Sequence, residues 1–149
     1  WSSDVCSSDL FLNFNCVILD LADINIGART LFGPGCQLIT VEHPVTDHAR
    51  RAQGWERARP ITIGEDCFVG HGVMFVNDTF STGGPARGRK ELWRETVIGN
   101  RVSIGSNATI MPVRIADDVV IGAGSVVTKD ITTPGTYAGN PARRLLASQ

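Results

Sequence analysis

The sequence predicts an all-β chain wound into a three-sided, single-stranded parallel β-helix with two loops inserted at one corner. Three observations predict it. A large apolar residue recurs every six positions, followed by glycine and, three positions further on, by a small or β-branched residue. Glycine is abundant, at 16 of 149 residues, and no long stretch shows the i, i+3, i+4, i+7 apolar spacing of an amphipathic helix. Finally, the six-residue period is interrupted twice, at equivalent points of the register.

The repeats begin at Ile26 (IGARTL), Phe32 (FGPGCQ), Ile63 (IGEDCF), Val69 (VGHGVM), Ile98 (IGNRVS), Ile104 (IGSNAT), Ile115 (IADDVV) and Ile121 (IGAGSV). Each hexapeptide supplies one short strand and one turn, so three complete a triangular coil. The first-position residues are expected to stack inward as a ladder that a single coil cannot bury, which makes only stacked coils stable. The fifth positions, Thr30, Cys36, Cys67, Val73, Val102, Ala108, Val119 and Ser125, are small enough to point into a narrow interior. Glycine at position two is expected to allow backbone conformations that a Cβ would penalise.

The interruptions run from about Thr40 to Pro60 and from about Asn77 to Glu95. Counting the register places Thr40 and Asn77 at the same point of the third hexapeptide of their coils, in LITVEH and FVNDTF. Both insertions should therefore leave the column at one corner on successive coils. Insertions concentrated at one place in a repeat protein build a site. A shorter defect, IMPVR before Ile115, reads as a tightened turn.

Bulk properties exclude several classes. With 14 Lys and Arg against 15 Asp and Glu, the chain lacks the basic excess of a nucleic-acid or anionic-membrane surface. No apolar run approaches the roughly 18 residues of a membrane span. Cys6, Cys16, Cys36 and Cys67 stand singly without CxxC spacing, as expected for unpaired thiols of a reducing compartment, and the cytoplasm is the default. The first ten residues, WSSDVCSSDL, match nothing that follows. Asp4 to Leu10 is what GAC-GTG-TGC-TCT-TCC-GAT-CT encodes, a sequencing-adapter DNA. Residues 1–10 are therefore expected to be non-native, with residues 11–149 forming one domain whose natural beginning lies earlier.

From Phe11 to Leu146 these motifs resemble the hexapeptide-repeat acyltransferases, which implies that the helix is left-handed. The first half, NFNCVILD followed by IGARTLFGPGCQLITVEHPVTDHARRAQGWERARPITIGED, resembles the maltose and galactoside O-acetyltransferases. The second half, FVGHGVMFVNDTFSTGGPARGRKELWRETVIGNRVSIGSNATIMPVRI, is similar to the N-acetyltransferases of nucleotide-linked amino sugars. The ending GAGSVVTKDITTPGTYAGNPARRL is common to both. The halves meet in the phrase IGEDxFxG, and both a natural fusion and a chimeric join are compatible with a prism of constant cross-section.

The resemblance implies transfer of an acetyl group from acetyl-coenzyme A to a sugar hydroxyl or amine, without a metal. Such chemistry needs a nucleophile relieved of its proton, a stabilised oxyanion and a hold on the cofactor. His43, in an EHP phrase matching the maltose-type base, is the first candidate to take the hydroxyl proton and return it to the thiolate. Glu42 is a candidate to orient its ring. His71, Asn77 and Asp78 are the equivalents in the amino-sugar branch, whose amine acceptors are already nucleophilic. For the cofactor the implied contacts are Ala123, Thr128, Lys129 and Arg143, the two cations meeting phosphates through charge-assisted hydrogen bonds, and Asn107, in SIGSNATI, is a candidate to contact cofactor or substrate. For the acceptor, Asn13 matches a sugar contact of the maltose-type pattern, Asp20 is a candidate in the same region, and Phe68 keeps an aromatic wall where those enzymes often carry Trp. His71 departs from the maltose-type pattern, which has a small residue there, and leaves the acceptor open. Arg87, Arg89, Lys90 and Arg94 in the second insertion are candidates to hold a nucleotide diphosphate. The resemblance further implies a homotrimer with sites between subunits.

Two other classes compete. A zinc enzyme like the gamma-class carbonic anhydrases would use His43, His48 and His71 as an open three-imidazole site. That family places a further His five residues after its GH phrase, where this chain has Val76. A non-catalytic β-helix scaffold, or an inactive chimeric fragment, is the other class, and binding to coenzyme A separates it from an enzyme.

Overall fold

The computed structural model describes residues 9–44, 47–77 and 94–146. The first coil consists of β1 (Phe11–Leu12), β2 (Val17–Leu19) and β3 (Ile24–Ile26). The second uses β4 (Leu31–Phe32), β5 (Gln37–Ile39) and β8 (Ile61–Ile63); β6 (Val41–Glu42), α1 (His48–Ala52) and β7 (Arg57–Ala58) project from it. The third comprises β9 (Phe68–Val69), β10 (Met74–Phe75) and β11 (Thr96–Ile98). The fourth comprises β12 (Ser103–Ile104), β13 (Thr109–Ile110) and β14 (Arg114–Ile115). The fifth has β15 (Val119–Ile121), β16 (Val126–Val127) and Ile131, which bridges to Ile115. β17 (Gly135–Ala138) starts one more rung, and β18 (Arg143–Arg144) turns back antiparallel onto it.

Strands one coil apart pair in parallel and form three flat faces. The first face stacks β1, β4, β9, β12, β15 and β17; the second β2, β5, β10, β13 and β16; the third β3, β8, β11 and β14. This is the parallel β-helix that the repeat predicts, and its arrangement fits the left-handed prism that the resemblance implies. Both insertions leave between the second and third faces, after β5 and after β10. IMPVR crosses the same edge with only three residues between β13 and β14.

The inward set follows the period. First-position residues Phe32, Ile63, Val69, Ile98, Ile104, Ile115 and Ile121 are buried, as are all eight fifth-position residues. The polar ones there are satisfied by backbone. Thr30 Oγ1 donates to Gly64 O at 2.9 Å and accepts from Cys67 N at 3.1 Å, while Ser125 Oγ accepts from Gly139 N at 3.1 Å. Cys16, Cys36 and Cys67 are unpaired thiols against carbonyls, and burial pushes Cys36 and Cys67 above the ordinary cysteine value.

The role of the position-two glycines differs from the expectation. Their φ values are unremarkable; what requires glycine is the next coil. A Cβ on Gly105 would lie 2.4 Å from Ala123 N, and one on Gly33 2.6 Å from His71 N. The positive-φ residues sit later in the turns. The edge between first and second faces uses Asn15, Gly35, Gly72, Asn107 and Gly124, whereas the edge between third and first faces uses Arg29, Asp66, Arg101 and Asp118. This second series alternates in charge. Arg29 Nε bonds Asp66 at 2.6 Å and Arg101 Nε bonds Asp118 at 2.7 Å.

Two predictions follow from the stacking. Gly105→Ala should cost about 1–3 kcal/mol through overpacking against backbone, whereas Gly124→Ala, with open space around its Cβ, should cost only the roughly 1–2 kcal/mol of a left-handed backbone. Urea unfolding of the two variants checks the order, and equal losses would contradict the stacking account. Hydrogen bonds from Arg29 and Arg101 hold the carboxyls of Asp66 and Asp118 below their ordinary value. A carboxyl lowered by folding stabilises above its unfolded pKa and stops doing so as pH falls through the folded one. Wild-type Tm should therefore fall more between about pH 5 and pH 2 than that of Arg29→Met/Arg101→Met; parallel pH profiles would count against the ladder.

Candidate active site

The period places the sequence-predicted residues on two edges of the column. Along the edge between second and third faces lie Asp20 after β2, His43 in the first insertion, Asn77 at the start of the second, and Thr128 and Lys129 after β16. Along the edge between first and second faces lie Asn13 after β1, His71 after β9, Asn107 after β12 and Ala123 after β15. Phe68 projects from the first face, 51% exposed, and Arg143 lies in β18 on the same sheet. Asp78, Arg87, Arg89 and Lys90 lie outside the described residues.

The first insertion is a braced hairpin. β6 and β7 pair antiparallel with Val41 opposite Ala58 and Glu42 opposite Arg57, a register that carries His43 opposite Glu56. His43 Nε2 lies 3.5 Å from Glu56 Oε1, both side chains about half exposed. The sequence candidate for orienting this ring, Glu42, points elsewhere. It is buried, with Oε1 3.1 Å from Arg59 Nη2, because alternation along β6 sends Glu42 and His43 to opposite sides. Glu56 thus takes the place beside His43. Asn77 Nδ2 donates to Val41 O, which ties the hairpin root to the third coil.

On the other edge, His71 Nδ1 and Ser106 Oγ are hydrogen-bonded at 2.9 Å. They border a cleft of about 320 Å3 with Asn13, Phe11, Leu31 and Phe68. The structure therefore brings together Asn13, Phe68 and His71, with Ser106 added, a residue that the sequence reading missed although it follows the repeat glycine at Gly105. The Asn107 carboxamide folds back over Gly72.

The cations divide into two kinds. Arg29, Arg94, Arg101 and Arg114 are each paired with carboxylates, Arg94 with Asp130 and Arg114 with Glu95. A cleft of about 430 Å3 on the third face is lined by Arg59, Arg94 and Arg114, yet these are the neutralised ones. Burial works against the Asp130 carboxylate, but the Arg114 backbone N–H and Arg94 outweigh it and lower its pKa. Lys129 and Arg143 are exposed and have no carboxylate partner among the described residues. As for metal, His43 and His71 sit on different edges, and His48 Nδ1 lies 2.7 Å from Arg51 Nη2. Among the described residues no three His, Cys, Asp or Glu side chains converge.

Known proteins share this architecture. Residues 60–74 and 95–129 match the family model described as hexapeptide repeat of succinyl-transferase. The galactoside O-acetyltransferase of Escherichia coli is 34% identical over 136 residues, 91% of this chain and 49% of that protein. The crystal structure of a maltose O-acetyltransferase from Clostridium difficile superposes with a TM-score of 0.55 at 31% identity, covering 93% of this chain and 55% of that one. A hexapeptide-repeat acetyltransferase from Vibrio cholerae in complex with acetyl-coenzyme A gives 0.54 at 29% identity, covering 92% and 56%. The chain spans about half the length of such relatives. The hexapeptide repeat of that family model thus recurs in this chain, and the proteins it is similar to include maltose and galactoside O-acetyltransferases.

Proposed function

We propose that the protein is an acetyl-coenzyme A-dependent acetyltransferase of the cytoplasm that acts on a sugar hydroxyl or amine without a metal. The observation that carries this reading is the braced presentation of His43 beside Glu56, on a column related to acetyltransferases. His43 accepts the proton of the attacking hydroxyl while its oxygen forms a bond to the thioester carbonyl. As the carbon–sulfur bond breaks, the imidazolium returns the proton to the departing thiolate. Glu56 supports the charged ring in between.

Each edge carries only half of what the reaction requires. The edge with His43, Asp20, Asn77, Thr128 and Lys129 holds the base and one cation, and the edge with Asn13, His71, Asn107 and Ala123 borders the first-face cleft and leads towards Arg143. In the proposed homotrimer the first edge of one protomer meets the second edge of the next, and coenzyme A lies between them. Lys129 and Arg143 take its phosphates, and Phe68 walls the acceptor. The second face supports this assembly: its outward rows include Val17, Leu19 and Met74, each at least 40% exposed, with Ile39, Val76 and Met111 beside them. Apolar surface of this kind supports an interface, with Gln37 standing between Val17 and Met74.

One observation favours a second reading for amine acceptors. The His71–Ser106 pair already sits in the cleft with Asn13 and Phe68, and a free amine needs less help from a base. A scaffold without catalysis would bind no coenzyme A.

In a thiol-release assay with acetyl-coenzyme A and a panel of sugars and amino sugars, His43→Ala should lower kcat on hydroxyl acceptors by about 10²–10⁴. Unchanged rates would move the chemistry to His71. Lys129→Ala and Arg143→Ala should each raise KM for acetyl-coenzyme A about tenfold or more, the value of a charge-assisted hydrogen bond, and leave kcat nearly unaltered. A kcat loss at constant KM would remove them from cofactor binding.

A further inference from the structure

The Glu42–Arg59 pair at the hairpin root is a feature that the proposed chemistry does not use. Glu42 and Arg59 are 8% and 7% exposed, and Arg57 adds a second guanidinium 3.9 Å from the same carboxylate oxygen. Arg59 also donates its backbone N–H to Thr40 O at 2.9 Å, and Thr40, itself buried, bonds Leu19 O at 2.6 Å. The pair thus connects both strands of the hairpin, at the point where they leave the column. Desolvating two charges offsets most of their attraction, so a buried ion pair stabilises a fold little more than apolar side chains of similar volume. What charges add is directional: a carboxylate and guanidiniums accept few geometries, whereas apolar groups slide past one another.

We infer that Glu42 and Arg59 are positioning residues that fix the register of the β6–β7 hairpin and so hold His43 at the edge of the column. The inference rests on the reading of His43 as the base. Register is what matters here because a one-residue slip along β6 would turn His43 inward and Glu42 outward. The six-residue period does not set it, since the insertion lies outside the repeat, so contacts at the hairpin root must. Asn77, through Val41 O, anchors the same root from the coil above.

The discriminating variant is Glu42→Leu/Arg59→Met, which removes both charges and keeps the apolar volume. Arg57, only partly buried, can turn to water. With acetyl-coenzyme A and the best acceptor of the sugar panel, kcat should fall at least tenfold, towards the His43→Ala level. KM for acetyl-coenzyme A should stay within twofold and Tm within a few degrees of wild type. Amide hydrogen exchange at residues 41–44 and 56–59 should quicken at least tenfold while that of β12 and β15 stays unchanged. Wild-type kcat in the double variant would overturn the inference, and so would an unfolded double variant, because the pair would then serve the fold. If wild-type protein transfers no acetyl group to any acceptor, the reading of His43 fails instead. The exchange rates alone then decide whether the pair sets the hairpin.

Discussion

Everything in this molecule depends on coils approaching closely enough for parallel backbone pairing around a core one side chain deep. Where Gly27, Gly33, Gly64, Gly70, Gly99 and Gly105 stand, a Cβ would lie within about 2.4–2.7 Å of atoms of the coil above. The inward aliphatics cover only their neighbours one rung away, so no coil has a core of its own and each is stable only as part of the stack. That constraint fixes the geometry of the surface. Outward residues of successive coils fall into vertical rows, and turn residues fall into vertical edges.

The three edges have become chemically distinct. One is closed by an alternating Arg29–Asp66–Arg101–Asp118 series whose charges neutralise each other. The edge between first and second faces uses Asn and Gly at its left-handed positions, so its turns are small and leave an open cleft beside His71 and Phe68. The short crossings between second and third faces carry no such residue among the described residues, Gly54 lying within the first insertion; both insertions and the shortened IMPVR crossing occur at this edge. A repeat that tolerates change at one edge only will gather its irregular chemistry at that edge.

The column was legible in the sequence because position one and position five carry the burial, and both recur every six residues. The shared corner of the two insertions was legible for the same reason. The repeat shows that position two requires glycine but not why, since a close approach between coils leaves no local trace in the sequence. Glu56 was missed for a different reason. It meets His43 only through the antiparallel register of β6 and β7, in a segment without a period, where the nearer Glu42 looked better placed. Alternation along β6 was the available signal: Glu42, adjacent to His43, faces the other way, while Glu56 faces the ring. Ser106 follows a repeat glycine and becomes informative only when His71 is seen one coil below it.

In the proposed enzyme, the base and the cofactor groove lie on different edges and are joined between protomers. Co-refolding tests it directly, by mixing equal amounts of a His43→Ala chain with an Ala123→Glu chain whose groove is blocked. If the two edges meet across the interface, each variant alone is inactive and the mixture recovers about a quarter of wild-type activity, from interfaces that unite an intact His43 with an intact Ala123. A mixture that stays as inactive as its parts, while wild-type protein refolded in the same way is active, would contradict the claim.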